Sequence, residues 1–184
     1  MPQRLIGLLI GASFGMAFVL ANAHDPLAKA VGIPLRVIAV VAFAAVLMLG
    51  MRGLRRPGSA PEPAPGPAAG GMFGGRYGIV VLVEFALIAL GIFSIRRLDA
   101  PEEAIVAWIA LIVGVHFVVL MAVWKERTIA VPGAVLTVLG AAGLVTAATS
   151  AVEWVPLISG VLSGVVLLAG SLYTVIRGND PATA

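Results

Sequence analysis

Six continuous runs of apolar residues follow one another along the chain, with short polar segments between them. Each run is close to the roughly 20 residues that a helix needs to cross a hydrocarbon core of about 30 Å. Because the runs are continuous, and because backbone groups in lipid must be satisfied within their own segment, the pattern favours helices over strands. The predicted spans are 5–21, 33–51, 77–95, 104–124, 129–149 and 154–176. We therefore predict an all-α, polytopic integral membrane protein with six transmembrane helices.

The composition supports a lipid environment. Of 184 residues, 60% are hydrophobic and 11% are charged, whereas an average soluble domain has about 25% charged residues. This excludes a water-soluble globular enzyme, and the absence of cysteine excludes a disulfide scaffold. The 12 Lys and Arg residues form no basic run interleaved with aromatics, so we expect no nucleic-acid partner. The expected partner is the lipid bilayer.

The first run has two interpretations. Arg4, the apolar stretch and the small residues Ala21 and Ala23 are typical of a signal peptide with its cleavage site. Gly7, Gly11 and Gly15 instead form a doubled G-x-x-x-G spacing that suits close helix packing in lipid. The glycine spacing favours a retained helix, and cleavage of residues 1–23 stays an open alternative.

The basic residues predict the orientation, because Lys and Arg are enriched in cytoplasmic loops. With both termini in the cytoplasm (N-in, C-in), the outer side carries Lys29, Arg36, Arg96 and Arg97. The inner side then carries Arg4, Arg52, Arg55, Arg56, Arg76, Lys125, Arg127 and Arg177. The excess on the inner side predicts N-in, C-in.

A Pro/Gly-rich segment divides the chain. Residues 57–75 contain five prolines, six glycines and one charged residue, a composition typical of a flexible linker. We predict a two-helix N-terminal membrane unit (1–56), this cytoplasmic linker (57–75), a four-helix membrane unit (76–177) and a short cytoplasmic tail (178–184).

Two ionisable residues lie well inside the predicted spans: Glu84 in the third and His116 in the fourth. Ionisable residues are costly in a bilayer and therefore mark candidate functional sites. Glu84 follows Arg76 by eight residues and His116 precedes Trp124 by eight, which places both about 12 Å from the cytoplasmic boundary at 1.5 Å per residue. If their faces agree, the two groups can share one proton as a relay or contact a polar substrate. The alternative is a hydrogen bond that fixes helix packing.

The remaining candidates have simpler roles. Arg36 and Asp25 could meet at the outer rim, although the position of Arg36 favours a solvated interfacial anchor. For helix packing we single out Gly7, Gly11, Gly15, Gly160 and Gly164. The fifth span is also rich in small and hydroxyl residues, among them Gly133, Thr137, Gly140 and Gly143. We expect no metal site and no cofactor, because no cluster of ligand residues has suitable spacing.

The segment 76–124 carries a resemblance. It reads R-Y-G-I-V-V-L-V-E-F and later V-G-V-H-F, and it resembles small multi-pass bacterial membrane proteins with a G-x-H-F motif on one helix and a glutamate on the helix before it. The matching positions are Glu84, Gly114, His116 and Phe117. The resemblance implies a bacterial membrane protein and implies no activity.

Two functions follow from these features. The first is a proton-linked transporter or channel that uses the Glu84–His116 pair. The second is a non-catalytic membrane subunit or assembly protein, homo-oligomeric or with a membrane partner, in which the pair fixes helix packing. An enzyme is the least supported class, since Ser163 lies in G-V-L-S-G, which departs from the G-x-S-G of rhomboid proteases.

Overall fold

The computed structural model describes residues 3–54, 74–124 and 129–178. Within these ranges the chain is helical and contains no strand. The helices are α1 (Gln3–Asn22), α2 (Lys29–Leu54), α3 (Gly75–Arg97), α4 (Ala104–Trp124), α5 (Ala130–Ala147) and α6 (Leu162–Gly178), the last preceded by a π-helical turn over Pro156–Val161.

The prediction of an all-helical chain with six apolar helices is confirmed. Among the described residues, six helical segments are long and apolar enough to cross a membrane. These properties indicate a multi-pass membrane protein. The orientation of the helices stays a prediction.

The helix boundaries agree with the predicted spans to within four residues, and two differences alter the local geometry. Helix α2 begins at Lys29, four residues before the predicted span 33–51, so Pro34 lies in its second turn. The sixth span contains a π-helical turn, in which one additional residue is accommodated and the side chains are re-aimed. There the buried Ser159 hydroxyl donates a hydrogen bond of 2.8 Å to the Leu139 carbonyl of α5, which ties the turn to that helix.

The helices pack as two central pairs with one helix on each flank. Helix α4 packs along α5, and α1 packs along α6. The pairs meet in a cluster around the fully buried Leu136 of α5, which includes Phe18, Val113 and Leu167. Helix α2 lies against α1 and α6, while α3 lies against α4 on the opposite flank.

The two predicted membrane units share a core in the structure. Ala12 and Val19 of α1 and Val46 of α2 pack in one cluster with Val161 and Leu168 from the sixth span. Residues from both sides of the linker therefore bury one another. That the two units fold separately stays a prediction. Linker residues 57–73 and tail residues 179–184 lie outside the described residues.

Candidate functional site

The structure brings Glu84 and His116 together. The Nδ1 atom of His116 lies 3.1 Å from the Oε2 atom of Glu84, and the His116 and Glu84 side chains are 10% and 13% exposed. Sequence alone placed the two residues at one depth on successive helices. The rotation of α3 and α4 about their axes places them on facing sides, so they form one covered polar contact.

The contact is close but poorly aligned. Nδ1 of His116 is buried and has no hydrogen-bond partner of acceptable geometry among the described residues. The imidazole ring stands edge-on to Phe117, with centroids 5.9 Å apart. The 3.1 Å separation is within the range of an ion pair. The contact lacks the directional hydrogen bond that would fix which nitrogen carries the proton.

One face of α3 makes the contact with α4. Tyr77, Glu84 and Gly91 follow each other at intervals of seven residues, about two helical turns, and so lie on one side of the helix. This face carries the polar side chains of the middle of α3, while Leu82, Phe85, Leu90 and other large apolar side chains of the helix are exposed.

A tryptophan of α4 also contacts α3, nearer the C-terminal end of α3. The Trp108 indole N–H donates a hydrogen bond of 3.0 Å to the Leu87 carbonyl of α3. The indole lies over Gly91, where a Cβ atom would overlap it. Gly91 was missed at the sequence level, because a single glycine in an apolar helix carries no spacing signal. Helix α3 is thus held to α4 by a polar pair and by a tryptophan seated on a glycine.

The glycines predicted to pack lie in three kinds of surroundings. Gly15 and Gly164 face each other: a Cβ on Gly15 would lie 2.9 Å from the Gly164 carbonyl oxygen. A Cβ on Gly160 would overlap the side chain of Asn22. A Cβ on Gly11 would make ordinary contact, 3.4 Å from the Ser171 hydroxyl, and one on Gly7 would meet nothing within 4 Å. The α1–α6 contact is therefore closest around Gly15, and Gly7 lies outside it.

Small residues also line the contact between α4 and α5. Cβ atoms added at Gly114, Gly133 and Gly140 would come within 3.0 Å of the backbone or Cβ of the facing helix, and one at Gly143 would overlap the Ser159 hydroxyl. The sequence showed the cluster in the fifth span, whereas the packing role of Gly114 was missed. The one feature of the sequence that singled out Gly114 was its position in the G-V-H-F segment.

Arg36 and Asp25 do not form an ion pair within 4 Å in the described part of the chain. Asp25 is exposed in the connection between α1 and α2. Arg36 is half-buried, and its Nε atom is covered without a hydrogen-bond partner among the described residues. The predicted rim contact is thus not formed. The residues that the structure describes also contain no group of three His, Cys, Asp or Glu side chains arranged for a metal ion.

The described residues form an all-helical protein whose six apolar helices are long enough to cross a membrane, and two of these helices carry a covered Glu–His contact. Comparison with protein-family models, with curated proteins and with solved structures finds no match for the chain.

Proposed function

We propose that this chain is a non-catalytic membrane subunit in which Glu84 and His116 fasten α3 to the rest of the protein. The observation that carries the proposal is the covered 3.1 Å contact between the side chains of Glu84 and His116, on α3 and on the helix that it packs against. Nearly nine-tenths of each side chain is covered, as a packing contact requires.

The pair supplies what apolar packing alone lacks. Most of the surface of α3 consists of exposed apolar side chains, and lipid tails solvate such a surface as well as another helix does. Sliding α3 by one turn would cost little on its apolar side but would leave both Glu84 and His116 unpartnered in a low-dielectric medium. The polar contact therefore specifies the register of α3 on α4.

The proposed setting is the cytoplasmic membrane of a bacterium, with both termini inside. The distribution of Lys and Arg supports this orientation. The exposed α3 surface is available to lipid, to a second copy or to a partner subunit, as expected of an assembly protein.

Proton-linked transport is the second candidate. It is favoured by the contact between two titratable groups, Glu84 and His116, inside helices that are long and apolar enough to cross a membrane. Such a pair can take up a proton and release it again.

Variants of the pair separate the two functions. We expect Glu84→Leu and His116→Leu each to lower the free energy of unfolding by about 1–2 kcal/mol, because each leaves a buried polar group without its partner. The double variant should recover most of this loss, since neither polar group remains. Glu84→Gln should retain stability, because an amide can still bond to imidazole. Reversible unfolding in detergent micelles measures the cycle.

The same four variants, placed in proteoliposomes with an internal pH dye, test transport. A membrane subunit should show no proton flux above that of empty vesicles. Flux in the wild-type protein that disappears in Glu84→Gln, a variant of retained stability, would contradict the proposal and support the transporter.

The orientation gives a separate prediction, which the absence of native cysteine makes simple to test. Ser150 is exposed in the connection before the sixth span, and Gly178 is exposed at the end of that span. In intact cells, Ser150→Cys should react with a membrane-impermeant maleimide, and Gly178→Cys should react after permeabilisation alone. The reverse pattern would show that both termini are outside.

A further inference from the structure

The last turns of α3 carry a shallow, open groove along one side of this single helix, away from the Glu84–His116 contact. It has a volume of about 450 Å³ and is lined by Ala89, Ile92, Phe93, Arg96 and Arg97. The spacing of these residues places them on one face of the helix. The groove therefore opens on the surface of the protein, at the end of a segment long and apolar enough to span a membrane.

The lining changes from apolar to cationic along the helix. Ala89, Ile92 and Phe93 lie toward the middle of the span, and Arg96 and Arg97 form its end. The Arg97 guanidinium lies 5.1 Å from the centre of the Phe93 ring, an arrangement that orients a cation over an aromatic face. The Ser94 hydroxyl bonds instead to the Leu90 carbonyl within the helix, at 2.8 Å.

The two arginines make no close ion pair with the carboxylates that follow them in the described ranges. Asp99, Glu102 and Glu103 follow within seven residues of Arg96. Even so, within the described ranges neither guanidinium makes an ion pair at 4 Å or less. Both arginines are exposed. Two adjacent positive charges at the end of an apolar span are complementary to a single class of membrane component, an anionic lipid.

We propose that this groove binds an anionic glycerophospholipid. One acyl chain lies along Ala89, Ile92 and Phe93, and the headgroup phosphate accepts hydrogen bonds from the guanidinium groups of Arg96 and Arg97. Arginine is suited to the phosphate because its planar group presents paired N–H donors. The assignment holds in either leaflet, and it does not depend on whether the Glu84–His116 pair packs helices or moves protons.

Spin-labelled lipids measure this preference directly. The full chain is reconstituted in phosphatidylcholine bilayers containing a trace of spin-labelled phosphatidylglycerol or spin-labelled phosphatidylcholine, and the motionally restricted fraction of each label gives their relative affinities. One basic residue near the surface favours an anionic lipid by about fivefold, and two by about 30-fold. We expect a preference for phosphatidylglycerol of up to this size at the groove.

Arg96→Gln/Arg97→Gln is the test variant, because it removes both charges and keeps the length of the side chains. Arg177→Gln is the control for a single arginine at the end of another span: Arg177 lies 5.0 Å from the Tyr173 ring in the same i, i+4 arrangement near the end of α6. The preference should fall markedly in the double variant and persist in the control. Phe93→Ala should reduce it in part, because the ring orients Arg97.

Three outcomes would overturn the proposal. One is equal affinity for the two labelled lipids in the wild-type protein. Another is an equal loss of preference in Arg177→Gln, which would assign it to overall charge. The third arm adds inorganic phosphate at constant ionic strength: if millimolar phosphate abolishes the preference, the groove binds a free phosphate instead of a lipid.

Discussion

Gly140→Ala should destabilise the protein strongly, although it adds a single methyl group. Gly140 is buried on α5, and a Cβ atom at this position would overlap the backbone of Leu111 on α4. Backbone atoms cannot rotate away as the end of a side chain can, so α4 and α5 must separate along their length. We expect a loss of about 3 kcal/mol or more in the free energy of unfolding, at the upper end for overpacked cores. Reversible unfolding in micelles measures it.

Gly170→Ala is the control for Gly140→Ala. Gly170 also lies within a helix, but a Cβ atom there would meet nothing within 4 Å. Alanine is a better helix former than glycine by about 0.5–1 kcal/mol, so this variant should be unchanged or slightly more stable. Equal behaviour of the two variants would show that the α4–α5 contact is not as close as described.

Gly91→Leu should detach α3 from α4. A side chain at this position occupies the space of the Trp108 indole, so the indole must leave and its hydrogen bond to the Leu87 carbonyl is lost. We expect a destabilisation of about 2–3 kcal/mol. Glu84 lies two turns away on the same α3 face, so its contact with His116 should be lost as well.

Brominated lipids can report this separation. In a background where Trp124 and Trp154 are replaced by phenylalanine, Trp108 is the one remaining tryptophan. Its fluorescence should be quenched more strongly by bromine-labelled acyl chains in Gly91→Leu, because lipid takes the place of α3. Gly78→Leu is the control, since Gly78 lies on α3 with open space where its Cβ would be. Unchanged quenching in Gly91→Leu would contradict the packing of the Trp108 indole against Gly91.

These predictions concern close helix–helix contacts, some of which the sequence indicated and some of which it did not. The cluster of small residues in the fifth span was visible as a pattern, and Gly140 belongs to it. Gly91 could not be predicted as a packing position, because a single glycine among apolar residues forms no G-x-x-x-G spacing with another. Gly7 shows the opposite error: it shares the spacing of Gly11 and Gly15, yet it lies beyond the closest part of the α1–α6 contact.

The sequence by itself determined the number of helices, their approximate bounds and the common depth of Glu84 and His116. These properties depend on the length and apolarity of each segment taken separately, and the thickness of a bilayer sets the scale for all of them. The predicted fourth span, 104–124, agrees with the observed α4.

Only the tertiary structure decided which faces meet. The six runs are apolar on all sides, so they lack the one-sided pattern that tells a core face from an outer face. Rotation about each helix axis is set instead by the fit of side chains against neighbouring helices, such as Trp108 over Gly91 and Gly15 against Gly164. That fit turns Glu84 toward His116, and it packs α1 along α6, which lies beyond the linker in sequence. Both outcomes depend on the complementary shapes of surfaces from distant segments, and no segment carries that information by itself.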